Sequence, residues 1–231
     1  MRRVLAVGAH PDDIELGCAG TLAAHRAAGD VVHMLVLTNG QNGPGRVSDR
    51  LVEQERASDM LDAELIWAAL QDCTLSPDAT LVSVIEKEIL RTGADVVYVH
   101  APDDTHQDHR ATASATLSAA RMSCRILHYR SPSTIRFHPT FFVDISAHLD
   151  AKLAALRCHR SQVEGSSMVD PEVVEASARY FGAIARVRHA EPFAPGRFVW
   201  DLQPGRGGAE SGRADEAAGQ AVPPPRRAAV W

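Results

Sequence analysis

The chain has 231 residues and a formal net charge of −5, enough for about one sizeable α/β domain. The acidic balance and the lack of a basic stripe argue against a nucleic-acid partner, and no apolar run reaches the roughly 18 residues that a bilayer span needs. Cys18, Cys73, Cys124 and Cys158 form no CxxC pair and no disulfide framework, so they read as small buried hydrophobes in a reducing compartment. Met1-Arg2-Arg3 enters a strand at once, without a signal-peptide pattern, which points to a cytoplasmic protein.

Residues 3–8 are a continuous apolar run, as expected of a strand buried on both faces. In 15–28, Leu16, Ala19, Ala23 and Ala27 recur at helical spacing and Gly29 supplies a stop. A second strand is expected over 31–37, then a Gly- and Asn-rich loop over 38–48 of the kind that lines sites. Helix 49–62, strand 64–70, helix 78–92 and strand 95–100 follow, then the loop APDDTHQDH and a helix over 110–121. Four alternations of strand and helix predict a Rossmann-like α/β domain: a mostly parallel sheet, right-handed crossovers and helices on both faces. Later strands are expected at 126–129, 140–145 and 198–202, and helices at 147–158 and 171–187. One domain over 1–202 is thus expected. Residues 203–231 carry too little apolar surface to offset the entropy of ordering and read as a disordered tail.

Two clusters of histidine and carboxylate each follow a predicted buried strand: His10-Pro11-Asp12-Asp13 and His106-Gln107-Asp108-His109. A lone strand-end histidine is usually structural and PDD alone is a common turn. Two clusters at neighbouring strand ends are more, because open parallel sheets bind ligands where strand order reverses, and an order 3-2-1-4 brings these loops together. The usual ligand there is a dinucleotide on a glycine-rich turn. Asp12 and Asp13 would repel its pyrophosphate and suit a cation instead. His10, Asp13 and His109 offer two nitrogens and an oxygen, the donor set of an open, catalytic zinc site. Asp12 is then free to take a proton from water. His106 is free to hold an oxyanion or pass a proton, with Asp108 orienting its ring. His25, His33, His138, His148 and His159 lack acidic neighbours in the predicted elements and read as structural, while His100 and Asp103 flank the second cluster as candidate supporting groups.

AHPDDIELGCAGT resembles the AHPDDE-type signature of the LmbE-like, or PIG-L, family of zinc-dependent N-deacetylases, and DTHQDHRAT resembles that family's H-x-D-H motif. The likeness runs over about residues 1–200. It implies Zn2+ on His10, Asp13 and His109, Asp12 as general base, and a charge-stabilising or acid role for His106 with Asp108 beside it. It also implies a small-molecule N-acylated substrate of N-acetylglucosamine type. Arg50 in DRLVEQE and Asp72 in LQDC resemble family residues that contact sugar hydroxyls, although Cys73 stands where the family usually has glycine. The segments 159–162 and 189–193 resemble late family segments to which no chemistry attaches. Rival readings are an amidase of the same family acting on a larger acyl or thiol conjugate, and a non-catalytic sugar-binding module. Intact Asp12 and His106 argue against the latter. The sequence leaves the oligomeric state open, a homo-oligomer included.

Overall fold

A computed structural model describes residues 1–122 and 125–200. The chain order is β1 (Arg3–Gly8), α1 (Asp13–Ala27), β2 (Val31–Thr38), α2 (Val47–Met60), β3 (Glu64–Leu70), α3 (Ala79–Thr92), β4 (Val96–His100) and α4 (Gln107–Ala119). Then follow β5 (Arg125–Tyr129), β6 (Phe141–Asp144), α5 (Leu149–Arg157), α6 (Arg160–Gly165), a 3-10 turn (Ser167–Val169), α7 (Pro171–Ala185) and β7 (Ala190–Arg197).

Among the described residues, seven strands form one sheet in the order β3-β2-β1-β4-β5-β7-β6. The five strands from β3 to β5 are parallel, and β7 and β6 close the far edge antiparallel. Side chains alternate across β1. Val4 and Ala6 face a core shared with Ile14, Cys18 and Leu22 of α1, whereas Leu5 and Val7 face Ile85 and Ile89 of α3 and Ala111 and Ala115 of α4. Both faces are covered, which is why these strands are apolar throughout rather than alternating. Helix boundaries have local causes. Asp78 accepts from the amides of Thr80 and Leu81 at the start of α3, and Gly93 ends it at φ 60°. Asp170 caps α7 ahead of Pro171. At Gly17, α1 approaches β5 so closely that a Cβ would lie 2.2 Å from the Tyr129 ring.

The α/β class, the order 3-2-1-4 and the helices on both faces match the expectation. The last strand does not. It is β7, which begins at Ala190, and residues 198–200 lie in no strand. Its sequence AEPFAPGR carries two prolines and a glycine, which argue against a strand inside a sheet. Pro195 and Gly196 fall where its register with β5 is interrupted, and Pro192 pairs with Phe142 of the edge strand β6. The expected tail and Cys124 lie outside the described residues. Cys18, Cys73 and Cys158 are free.

Candidate metal centre and active site

The two clusters meet at the reversal of strand order. β1 and β4 run side by side, Val7 opposite Val99, so the turn leaving β1 and the loop leaving β4 emerge together. Asp12, the residue before α1, has φ 94°, a left-handed conformation uncommon for a non-glycine residue and frequent at functional sites. The turn is held from several sides. The His10 amide donates to Asp13 Oδ2 (2.7 Å), the Asp12 amide to Gln54 Oε1 (3.3 Å), and Arg50 Nη2 to the Pro11 carbonyl (2.9 Å). Across the gap, His106 Nδ1 accepts from the Asp108 amide (3.2 Å), and α4 begins with Asp108 and His109 buried.

Three groups of donors converge here: His10, His106 and His109; Asp13, His100 and His109; and His10, Asp72 and Asp108. Ring partners point to a set drawn from the first two, His10, Asp13 and His109. His10 Nε2 faces Asp108 Oδ2 at 3.2 Å and Asp72 Oδ1 at 3.0 Å, leaving Nδ1 on the other side. His109 Nδ1 faces Asp104 Oδ2 at 3.2 Å, leaving Nε2. The free His10 Nδ1 and His109 Nε2 lie 3.3 Å apart, and each is 3.3 Å from an oxygen of Asp13. With metal–ligand bonds of about 2.0–2.1 Å, the edge of a tetrahedral site is about 3.3–3.4 Å. The two nitrogens have the spacing of donors to one ion, each with a different Asp13 oxygen beside it (Oδ2 at His10, Oδ1 at His109), and each of the two rings turns its other nitrogen to a carboxylate, as metal-bound imidazoles commonly do.

The electrostatics fit a cation. Asp12, Asp13, Asp72, Asp104 and Asp108 are all buried around this point. Burial alone would lower His10, but the carboxylates of Asp108, Asp13 and Asp72 against its ring hold it well above the usual imidazole range. His109 is likewise raised to about 9, Asp13 and Asp104 outweighing burial. Burial would raise Asp13, yet the charges of His109 and His100 hold it well below the usual carboxylate range. The cluster thus holds protons where a metal ion would supply the positive charge.

Asp12 differs from its neighbours. Burial, then the Asp13 charge, push its carboxyl up to about 7, against the pull of His159, Arg50 and His10. It lines the cleft and makes no side-chain cap for α1. His106 is half-buried in the same cleft. Burial and the nearby His10 and His109 lower its pKa, which favours the neutral ring. With Nδ1 accepting the Asp108 amide, its proton belongs on Nε2.

Asp108 departs from the sequence expectation. Its carboxylate does not hold His106. It accepts from the amides of Cys73 (2.7 Å) and Leu75 (3.2 Å) and faces His10. Asp72 reaches the cleft, but its Oδ2 accepts the Asn42 amide and its Oδ1 faces His10, too far off the N–H direction to count as a hydrogen bond. Arg50 is buried, and its guanidinium binds the carbonyls of Gly40 and Pro11, tying the loop after β2 to the His10 turn.

Other partners were not evident from sequence. Asp104 supports His109, while Asp103 pairs outward with Arg136. His100 lies 3.1 Å from Asp13 and stacks on His109 at 3.9 Å between ring centroids. Three histidines read as lacking acidic company have it: His25 pairs with Asp30, His33 with Glu64, and His159 with the fully buried Glu15. The only sequence signal was the density of acids in the loop after β4. His25 and Asp30 lie five residues apart, whereas His33–Glu64 and His159–Glu15 join residues distant in sequence.

The cleft over this centre has a volume of about 360 Å3. Asn42, Arg50 and Asp72 contribute polar lining, and Leu16, Pro132 and Met168 apolar lining. No helix of the described residues is long and apolar enough to cross a membrane.

Residues 5–120 match the family model PIG-L, described as GlcNAc-PI de-N-acetylase. The uncharacterized deacetylase YaiS of Escherichia coli is 34% identical over 167 residues, 68% of this chain and 90% of that protein. The diacetylchitobiose deacetylase of Thermococcus kodakarensis is 31% identical over 86% of this chain and 85% of its own length. The crystal structure of the conserved protein TT1542 of Thermus thermophilus superposes with a TM-score of 0.79 at 30% identity, covering 90% of this chain and all of that one. With both signature clusters meeting at one cation-shaped centre, the chain belongs to the PIG-L family of de-N-acetylases.

Proposed function

We propose that the chain removes an N-acetyl group from a glucosamine-type amine on a small molecule, with Zn2+ held by His10 Nδ1, Asp13 and His109 Nε2. The observation that carries this is the approach of His10 Nδ1 and His109 Nε2 to 3.3 Å of each other, each 3.3 Å from one of the two Asp13 oxygens, beside the cleft-lining Asp12. Two imidazoles and one carboxylate suit zinc. A divalent cation in such a site supplies Lewis acidity, which acidifies water and polarises an acyl carbonyl. Asp12 takes a proton from water as its oxygen adds to the acyl carbon. The N–H at His106 Nε2 donates to the developing oxyanion. When the C–N bond breaks, the proton held by Asp12 passes to the departing nitrogen, giving acetate and a free amine. The polar lining of the cleft suits sugar hydroxyls, and the deacetylase relative acting on diacetylchitobiose supports the sugar class.

The test is fluorescent amine detection over a panel of N-acetylglucosamine-containing sugars, with zinc-loaded and chelator-treated protein. Chelator-sensitive amine release is expected; no release from any N-acetyl sugar would overturn the reading. Asp12→Ala is expected to keep stoichiometric metal and lose at least about 100-fold in turnover. Full activity in that variant would remove Asp12 from the role of base.

A further inference from the structure

Helix α7 packs on the core along one face, through Val174, Ala178 and Gly182. A second apolar face of the same helix points to water. Val173, Tyr180 and Ile184 are 56%, 63% and 51% exposed, and Ala176 and Ala183 are exposed between them. Single exposed apolar residues are ordinary, but these are in register. At 3.6 residues per turn the five fall within about 100° of one another. That is the width and spacing of a seam that another helix covers, and among the described residues no other element covers it. The charges of α7 lie on one flank of this stripe. Glu172, Glu175 and Arg179 are exposed and within about 60° of one another, and the exposed Arg186 follows where the helix ends. Among the described residues none of the four forms an ion pair, although Glu175 and Arg179 have the i, i+4 spacing that favours one. Acids thus come first and bases last. The helix dipole favours that order of charge, but it does not account for the apolar stripe beside it.

The one-sided charge selects the occupant. If two copies of such a helix pack in parallel about a two-fold axis, the charged flank of each meets the uncharged flank of the other. If they pack antiparallel, like flanks meet with their order reversed, acids against bases. From this self-complementarity we infer that α7 is a self-association surface, on which a second copy of this chain docks its own α7 antiparallel about a two-fold axis. Val173 then lies against the second copy's Ile184, and Tyr180 against the small side chains of its Ala176 and Ser177. Glu172 lies against the second copy's Arg186 and Glu175 against its Arg179, and the axis repeats each contact. On the flank away from the charges, Val173, Ser177 and Phe181 line a cavity of about 300 Å3 together with the exposed Met168, which extends the apolar area a second copy can bury. A partner of unrelated sequence has no reason to match a face that is complementary to its own reverse.

The test is the mass of the full chain in solution, by light scattering and sedimentation across micromolar concentrations. Two chains per particle, or a multiple of two, are expected. Tyr180→Glu, which buries a charge at the centre of the seam, is expected to weaken association at least about 100-fold, with circular dichroism unchanged. Two charge variants probe the flank. Glu172→Arg with Glu175→Arg, and Arg179→Glu with Arg186→Glu, each set like charges face to face and are expected to weaken association at least about tenfold. An equimolar mixture of the two is expected to restore it, because each then meets its complement. A single chain at every concentration overturns the inference. Association that persists unchanged in Tyr180→Glu overturns it too, since the contact then lies elsewhere, as does a mixture of the charge variants that stays monomeric. Should Tyr180→Glu fail to fold, the charge variants alone decide.

Discussion

At the scale of single residues, His10 and His109, the proposed ligand histidines, each face a carboxylate behind the ring, and the role of those carboxylates is testable. Asp108 lies against His10 Nε2 and against two backbone amides, not against His106. Asp108→Ala is therefore expected to weaken zinc binding by about 10–100-fold, the usual effect of removing a carboxylate behind a metal-bound imidazole. His106→Ala, whose ring touches the ligand rings but accepts only a backbone amide, is expected to keep the metal and lose turnover. Zinc titration of the two variants separates the cases. If Asp108 served His106 instead, Asp108→Ala would bind zinc like the parent and lose only activity. The two clusters that hold the candidate ligands were legible in the sequence because each lies on a loop or helix start that follows a strand marked by its apolar run. Asp104 was not, because Asp103 beside it is chemically identical and only the loop's path decides which one turns to His109.

At the scale of elements, the centre depends on how α1 is held, since Asp12 and Asp13 begin that helix. Lys152 of α5 and Glu191 of β7 reach α1 from the side and engage its backbone at Glu15, Leu16, Gly20 and Thr21. Both side chains are about 3% exposed. Lys152→Met would leave the Glu191 carboxylate buried without its counter-charge, a change that typically costs about 3–5 kcal/mol. Urea unfolding is expected to show that loss in the midpoint with an unchanged slope; a loss under about 1 kcal/mol would mean that water reaches Glu191 and compensates it. This tie was hidden in the sequence for the same reason that β7 was. Glu191 lies in a segment punctuated by Pro192, Pro195 and Gly196, which local propensity reads as loop, and only pairing with β5 and β6 makes it a strand. The parallel strands β1, β2 and β4 gave the opposite case. Burial on both faces dictates their composition, so their order could be argued before any contact was known.

At the scale of the whole molecule, the sheet concentrates negative charge at one point. Five buried aspartates crowd the carboxyl ends of its strands, and Arg50, the guanidinium lining the same cleft, is committed to two carbonyls. The proposed ligands sit on junctions fixed by two extensive cores on either face of the sheet, so the fold is expected to form without a cation. It should nevertheless be stabilised by one. A ligand that binds only the folded state adds about 2.7 kcal/mol at a hundredfold excess over its Kd, or about 5–10 °C in Tm for a domain near 200 residues. Thermal unfolding in excess zinc and in chelator is expected to differ by that amount while the chelated protein still unfolds cooperatively. In His109→Ala the difference is expected to vanish, since two donors remain of three, whereas Asp12→Ala should keep it. A zinc-dependent shift that survives His109→Ala would place the ion elsewhere, on the His10–Asp72–Asp108 side of the ring, and reverse the assignment of inner and outer partners for His10.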